Sequence, residues 1–219
     1  MSVLEQTQQV LGERESPASG YARRVTADTT LDEAAGAGLP VLRTSRLVVR
    51  PLAHADRERC RAVLAPRDED AFARWFAWAV AAPAALADLH QPPYGERAIV
   101  HAASGELVGL TGLVPSHGPF AQVEGAPAGG TWEPEFGLYW ALSPQHRGRG
   151  YATEAAAALS RALLTTLRAK RLIATSDYSN LASQAVMRRL GMTLLTNPYS
   201  EPSWLQVVGI LDATGTPRR

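Results

Sequence analysis

Residues 135–167 constrain this chain more than any other stretch. Glu135–Leu142 (EFGLYWAL) is dense in aromatic and aliphatic residues and reads as a strand. The Ala- and Leu-rich run from Tyr151 to about Leu167 reads as a helix. Between them lies PQHRGRG, Pro144 to Gly150. A strand that feeds a basic, glycine-containing loop opening a helix builds an anion site. The first helical N–H groups have no intrahelical partner, and the peptide dipoles place about half a positive charge at that end. Gly148 and Gly150 let a phosphate approach the backbone, and Arg147 and Arg149 add mobile charge. The competing reading is structural: a strand-to-helix turn often needs glycine at positive φ, and loop arginines are commonly just solvated.

Composition narrows the class. The chain has 219 residues, 46% hydrophobic and 20% charged, which suits one soluble globular domain. A formal net charge of +1 gives no bulk electrostatic reason to expect nucleic acid or membrane as a partner. Cys60 is the single cysteine, so no intrachain disulfide forms and a reducing cytoplasm is the expected location. No apolar run reaches the length of a membrane span, and the N-terminus lacks a secretory pattern.

Residues 1–40 are polar, with little apolar period, and read as a flexible N-terminal extension with a short helix near Val3–Leu11. Residues 41–212 carry the domain and 213–219 a frayed tail. Arg46 to Arg50 reads as a first strand, stopped by Pro51. Helices are expected over Asp56–Leu64, over Asp68–Val80 and, after Pro83, to about His90. Cys60 reads as a small buried residue. Phe72, Trp75 and Phe76 share a helical face, so Trp75 serves either the core or, with Trp78, an acceptor pocket. Ala98–His101 and Leu107–Val114 read as a hairpin turning at Gly105. His101 and His117 are weak candidates for chemistry, and Pro115–Gly130 reads as a mobile excursion or a lid. Arg171–Thr175 is the next strand. Asn180 caps a helix that ends at Gly191, and Thr193–Thr196 with Leu205–Leu211 close the sheet.

Two motifs carry a family resemblance. QHRGRGYATEA, from Gln145 to Ala155, resembles the acyl-CoA pyrophosphate loop of GNAT N-acetyltransferases, patterned Q/R-x-x-G-x-G/A. Asn180 to Ser183 (NLAS), followed by Met187 to Met192 (MRRLGM), is similar to the branch that includes the ribosomal-protein alanine acetyltransferases. The resemblance covers about Leu42 to Leu211. It implies a mixed α/β fold with a central, mostly antiparallel sheet, splayed between Glu135–Leu142 and Arg171–Thr175, and helices on both faces. It also implies acetyl-CoA as co-substrate, no metal, an amine acceptor such as a protein N-terminus or small amine, and a monomer or homodimer.

Residue by residue, the resemblance assigns the cofactor to Leu142, Gln145, His146, Arg147, Gly148, Arg149, Gly150, Tyr151, Ala152, Thr153, Asn180 and Ser183. The Leu142 N–H would polarise the thioester oxygen. Asn180 is also a natural N-cap, and the two roles can coexist. Ser183 is either a capping-region serine or the donor to the departing thiolate. Many GNAT enzymes carry a tyrosine for that donation where this chain has Met187, which has no proton to give. Glu135 on the entering strand and Glu201 in the last turn are the candidate bases. Glu154 at the helix start is better explained by the dipole.

Two other readings compete. One is an NAD-type dinucleotide binder, on Gly148-x-Gly150 with Asp177 after the next strand, although Thr153 stands where a third glycine is wanted. The other is a GNAT-fold module that binds acyl-CoA without transferring the acyl group.

Overall fold

A computed structural model describes residues 39–116 and 135–213. The expected helix near Val3–Leu11, His117 and most of the Pro115–Gly130 excursion lie outside these residues. Eight strands form one sheet: β1 (Leu42–Arg43), β2 (Leu47–Pro51), β3 (Gly95–His101), β4 (Leu107–Ser116), β5 (Glu135–Leu142), β6 (Arg171–Ser176), β7 (Thr193–Thr196) and β8 (Val207–Asp212). Their spatial order is β1-β2-β3-β4-β5-β6-β8-β7. Every neighbouring pair is antiparallel except β5 with β6. The mixed α/β expectation holds.

Helices α1 (Arg57–Leu64) and α2 (Glu69–Asp88) cover one face. There Leu52, Cys60, Phe72, Trp75, Phe76, Ala98, Val100 and Leu110 pack together. Helices α3 (Tyr151–Thr165) and α4 (Leu181–Arg189) cover the other. Their core joins Val49, Ile99, Leu138, Leu159, Leu163, Leu172 and Met187. The two-residue strand period divides the sheet cleanly: Leu172 and Ala174 face α3 and α4, while Ile173 joins Leu205, Val208 and Ile210 on the opposite side.

One sequence expectation changes. Pro83 does not divide two helices; it lies inside the continuous α2. The alanines around it hold helical conformation, and the buried Phe72, Trp75, Phe76, Ala79 and Ala82 anchor that face, offsetting the roughly 3 kcal/mol that an interior proline costs. Trp75 is core: it is 3% exposed and packs on Phe72 and Phe76, whereas Trp78 is exposed. The chain packs on the core from the first described residue onward. Leu39 is buried in the core, and Arg97 Nη2 donates to the Pro40 carbonyl at 2.6 Å.

Beneath α2 sits a carboxyl that the sequence did not flag. Trp75 Nε1 donates to Glu96 Oε1 at 3.0 Å, and Glu96 is 4% exposed. Burial pushes its carboxyl above the ordinary range, against the opposing pull of the Trp75 hydrogen bond. Burial, then the neighbouring Glu96, likewise pushes the Tyr139 phenol up. The folded state therefore holds the Glu96 proton more tightly than the unfolded chain does, and stability falls as pH climbs past about 4.3, the unfolded value. Glu96→Gln keeps an acceptor for Trp75 and removes the ionisation. Its melting temperature should exceed that of the wild type by a margin that widens from pH 5 to pH 8; a margin independent of pH would refute the assignment.

Candidate functional site

The parallel pairing of β5 with β6 spans only Phe136↔Leu172 and Gly137↔Ile173. Beyond Gly137 the two strands part, each keeping its other neighbour. Antiparallel ladder bonds alternate in direction. Ser143 N donates to Val108 O at 3.0 Å, and the Tyr139 carbonyl accepts Thr111 Oγ1 at 2.8 Å. By that parity the odd-numbered residues of β5 spend their backbone groups on β4. Trp140 and Leu142 turn theirs toward the gap that β6 has left. The Leu142 carbonyl accepts Arg147 Nε at 3.2 Å.

A cleft of about 1140 Å³ fills this gap, beyond the roughly 300–1,000 Å³ of common small-ligand pockets. Its wall includes Leu142, Arg147, Gly148, Gly150, Ala152, Thr153, Asn180 and Ser183. Eight of the residues singled out in the sequence therefore meet at one place, from both sides of the split.

The loop is built as its sequence demands. Pro144–His146 forms a 3-10 turn, and Gly148 and Gly150 both adopt positive φ, at +73° and +80°. The structural reading of the glycines is thus realised together with the open helix end. Gly150 is the N-cap of α3 and supplies no side-chain cap, which leaves the first N–H groups of the helix directed at the cleft mouth.

Other loop residues point elsewhere. His146 is buried: its Nδ1 lies 2.7 Å from Ser143 Oγ and its Nε2 3.5 Å from Glu106. The Tyr151 ring is buried against His101 and His146, with the Arg46 guanidinium 4.8 Å from its centroid. Both side chains brace the loop from behind. Gln145 and Arg149 are exposed on the loop and stand off the cleft wall.

Glu154 does more than answer the helix dipole. Its Oε1 accepts from Thr44 Oγ1 at 2.5 Å and Arg46 N at 3.1 Å, and its Oε2 accepts Arg46 Nε at 2.7 Å. Arg46 Nη1 also donates to the Arg149 carbonyl at 3.1 Å. One carboxylate thus pins the anion loop and its helix to the turn between β1 and β2. Burial acts to raise the Glu154 carboxyl, but the hydrogen bonds from Thr44 and Arg46 outweigh it and hold the group below its ordinary range.

Across the split, Asn180 Oδ1 accepts Ser183 N at 3.1 Å, so the N-cap reading is correct, and Asn180 still lines the cleft. Asp177 Oδ1 accepts Ser179 Oγ at 2.7 Å and Asn180 N at 2.8 Å. The Ser179 bond is the main cause holding the Asp177 carboxyl below its usual range. Met187 is fully buried and packs beside Gly209. It is a core residue, away from the wall.

The two candidate bases are not brought together with this constellation. Glu135 stands at the opposite end of β5 from Leu142, roughly 23 Å along the strand. Glu201 is exposed in the segment just before the 3-10 turn Ser203–Leu205. Sequence reasoning missed Trp140, Trp204, Val63, Leu64 and Arg189 on the wall. Strand parity with Leu142 would have found Trp140, and the helical spacing of Ala182, Ala185 and Arg189 would have found the last. Trp204, Val63 and Leu64 come from remote segments and left no local signal.

A gap in a sheet, flanked by a bare helix end and a second capped helix, opens a long cleft through the middle of the domain. The chain belongs to the acetyltransferase (GNAT) domain family, whose model matches residues 46–193. The uncharacterized N-acetyltransferase YnaD of Bacillus subtilis (strain 168) is 33% identical over 60 residues, 27% of this chain and 35% of that protein. A crystal structure of an acetyltransferase from Agrobacterium tumefaciens str. C58 superposes with a TM-score of 0.58 at 29% identity, covering 87% of this chain and 99% of that one. The ribosomal-protein-S5-alanine acetyltransferase of Vibrio fischeri shares the fold at a TM-score of 0.59 and 12% identity, covering 81% and 99%. The dinucleotide reading falls here: an antiparallel sheet with one parallel pair lacks the parallel strands that such a site requires.

Because Glu154 binds its proton less readily folded than unfolded, its contribution is present above about pH 4.3 and is lost as pH falls through the folded value. Glu154→Gln should lower stability at pH 7 by about 1–2 kcal/mol, and the difference should shrink as the pH is lowered through the folded value. Urea unfolding across a pH series checks both parts.

Proposed function

We propose that this protein transfers the acetyl group of acetyl-CoA directly to a primary amine, a protein N-terminus or a small molecule, within a ternary complex. One observation carries the reading: a single cleft joins the bare N-terminus of α3 to Ser183 through the place where β5 and β6 part. The donor set suits coenzyme A. Arg147 and the N–H groups of Gly148 to Ala152 offer charge-assisted bonds to a diphosphate, and Arg149 and Gln145, exposed on the same loop off the cleft wall, would have to swing in to join them. The backbone of Trp140 and Leu142, left without a strand neighbour, suits the amide-bearing pantetheine arm, with Asn180 opposite.

The amine nitrogen attacks the thioester carbon, the C–N bond forms and the C–S bond breaks. The Leu142 N–H stabilises the oxyanion. Ser183 Oγ donates a hydrogen bond to the departing sulfur, and the proton lost by the amine, relayed through water, is the one the thiolate finally takes. With Met187 sealed in the core, no side chain at that position competes for this role. The attacking amine loses its proton to water, with Glu201, exposed outside the cleft wall, as the carboxylate that would receive it through that water. Glu135, distant along β5, is the weaker candidate. The single cysteine fits a cytoplasmic setting: Cys60 is fully buried, and burial pushes its thiol up to about 12. Among the described residues no helix is long and apolar enough to cross a membrane.

Isothermal calorimetry with CoA tests the anchor. Arg147→Ala should weaken binding about tenfold, the size of one charge-assisted contact. Ser183→Ala should lower kcat on the order of 100-fold and leave the CoA dissociation constant within twofold. Unchanged turnover would remove Ser183 from the mechanism. Thiol release from acetyl-CoA in the presence of amines separates transfer from a module that only binds.

A further inference from the structure

The cleft passes through the sheet, and its two ends differ in chemistry. On the face covered by α3 and α4 lie Arg147, Thr153, Ser183 and Arg189. On the other face the wall is Val63 and Leu64 at the end of α1, Ala141, Thr175 and Trp204. The sorting follows from packing. Val63, Leu64 and Ala141 belong with the apolar cluster under α1 and α2, and Trp204 packs on Ile173, Leu205 and Val208. The charged members of the wall are Arg147, Glu154, Asp177 and Arg189. Glu154 is tied to Arg46, and Asp177 is spent on the turn before α4. Among the described residues the far mouth is therefore uncharged, and apart from Thr175 its wall is aliphatic and aromatic.

Trp204 is fixed before any acceptor arrives. The segment that carries it is tied down at both ends. Tyr178 N donates to Gln206 Oε1 at 2.8 Å, and Gln206 Nε2 donates to the Ser200 carbonyl at 2.8 Å. Asn197 N donates to the Gln206 carbonyl at 2.9 Å, and Tyr199 N to Asn197 Oδ1 at 3.0 Å. The Tyr178 hydroxyl donates to the Asn197 carbonyl, and Leu205 is fully buried. A preformed apolar wall binds without the cost of ordering it.

We infer that the acceptor is a primary amine carried on an apolar or aromatic body, seated between Val63 and Leu64 on one side and Trp204 on the other. Tyr178 and Gln206 are positioning residues that hold Trp204 in place. Apolar surface removed from water on this wall favours binding, whereas a polycation brought to it would lose hydration and gain no carboxylate. The inference rests on the acetyl-transfer reading.

The experiment measures thiol release from acetyl-CoA across four acceptor arms: 2-phenylethylamine and tryptamine; peptides beginning with Phe or Leu; spermidine and an aminoglycoside; and peptides beginning with Asp or Gly. The expected result is a kcat/KM at least tenfold higher for the apolar arms, and the first two arms tell a free amine from a peptide terminus. Trp204→Ala should lower kcat/KM for the apolar arms about tenfold, mainly through the acceptor KM, with the acetyl-CoA KM unchanged. Tyr178→Phe should give a smaller loss of the same kind, with faster amide hydrogen exchange over residues 197–206. Leu64→Asp, on the opposite wall, tests the same mouth without touching Trp204 and should shift preference toward the cationic amines. Preference for the polycations, no apolar amine accepted, or a Trp204→Ala loss that falls equally on acetyl-CoA would overturn the inference while leaving the acetyl-CoA site standing. Failure of the wild type to bind CoA by calorimetry would instead overturn the acetyl-transfer reading, and the inference with it.

Discussion

The short parallel seam between β5 and β6 is the constraint on which this molecule turns. β5 is committed to β4 over its whole length, and β6 to β8 over its own. Two residue pairs join them, and then the sheet twist carries them apart. Backbone groups facing such a gap need partners. That need, more than any single side chain, makes the split a place where an amide-bearing chain can lie. The anion loop and the capped α4 follow from the same event, because each begins where one of the diverging strands ends.

The anion loop was legible because its determinants are local. Strand, glycine, arginine and helix follow one another within about thirty residues, and each leaves a compositional mark. What local pattern could not resolve is direction. His146 and Tyr151 sit inside the motif, yet the 3-10 turn and the first helical turn rotate them toward the core, where Ser143, Glu106 and Arg46 receive them. Glu154 was assigned to the helix dipole, and its true partners lie more than a hundred positions earlier, at Thr44 and Arg46. The split itself is a pairing event between distant strands and has no signature in either one. The rim formed by Val63, Leu64 and Trp204 was invisible for the same reason. Pro83 misled in the opposite sense: a strong local signal for a break yielded to the packing of Phe72, Trp75 and Phe76 on either side of Cys60 and Leu110.

Two polar groups show how burial decides a carboxylate's part. Glu96 and Glu154 have the same chemistry and opposite displacements. Glu96 lies deeply buried with the Trp75 indole N–H as donor, and burial raises its carboxyl above the ordinary range. Glu154, nearer solvent, collects hydroxyl, amide and guanidinium donors and gives its proton up. The first leaves an ionisable strain beneath α2. The second fastens the bare end of α3 and the loop before it to the turn between β1 and β2.

The brevity of the seam has a mechanical corollary. Strands β1 to β5 form one part of the sheet and β6 to β8 another, bonded to each other through two residue pairs and joined beneath by the core under α3 and α4. A chain-like molecule threaded between them would bond to both margins and act as a splint. Occupancy would then be felt as stiffness across the whole body, in regions that never touch the guest.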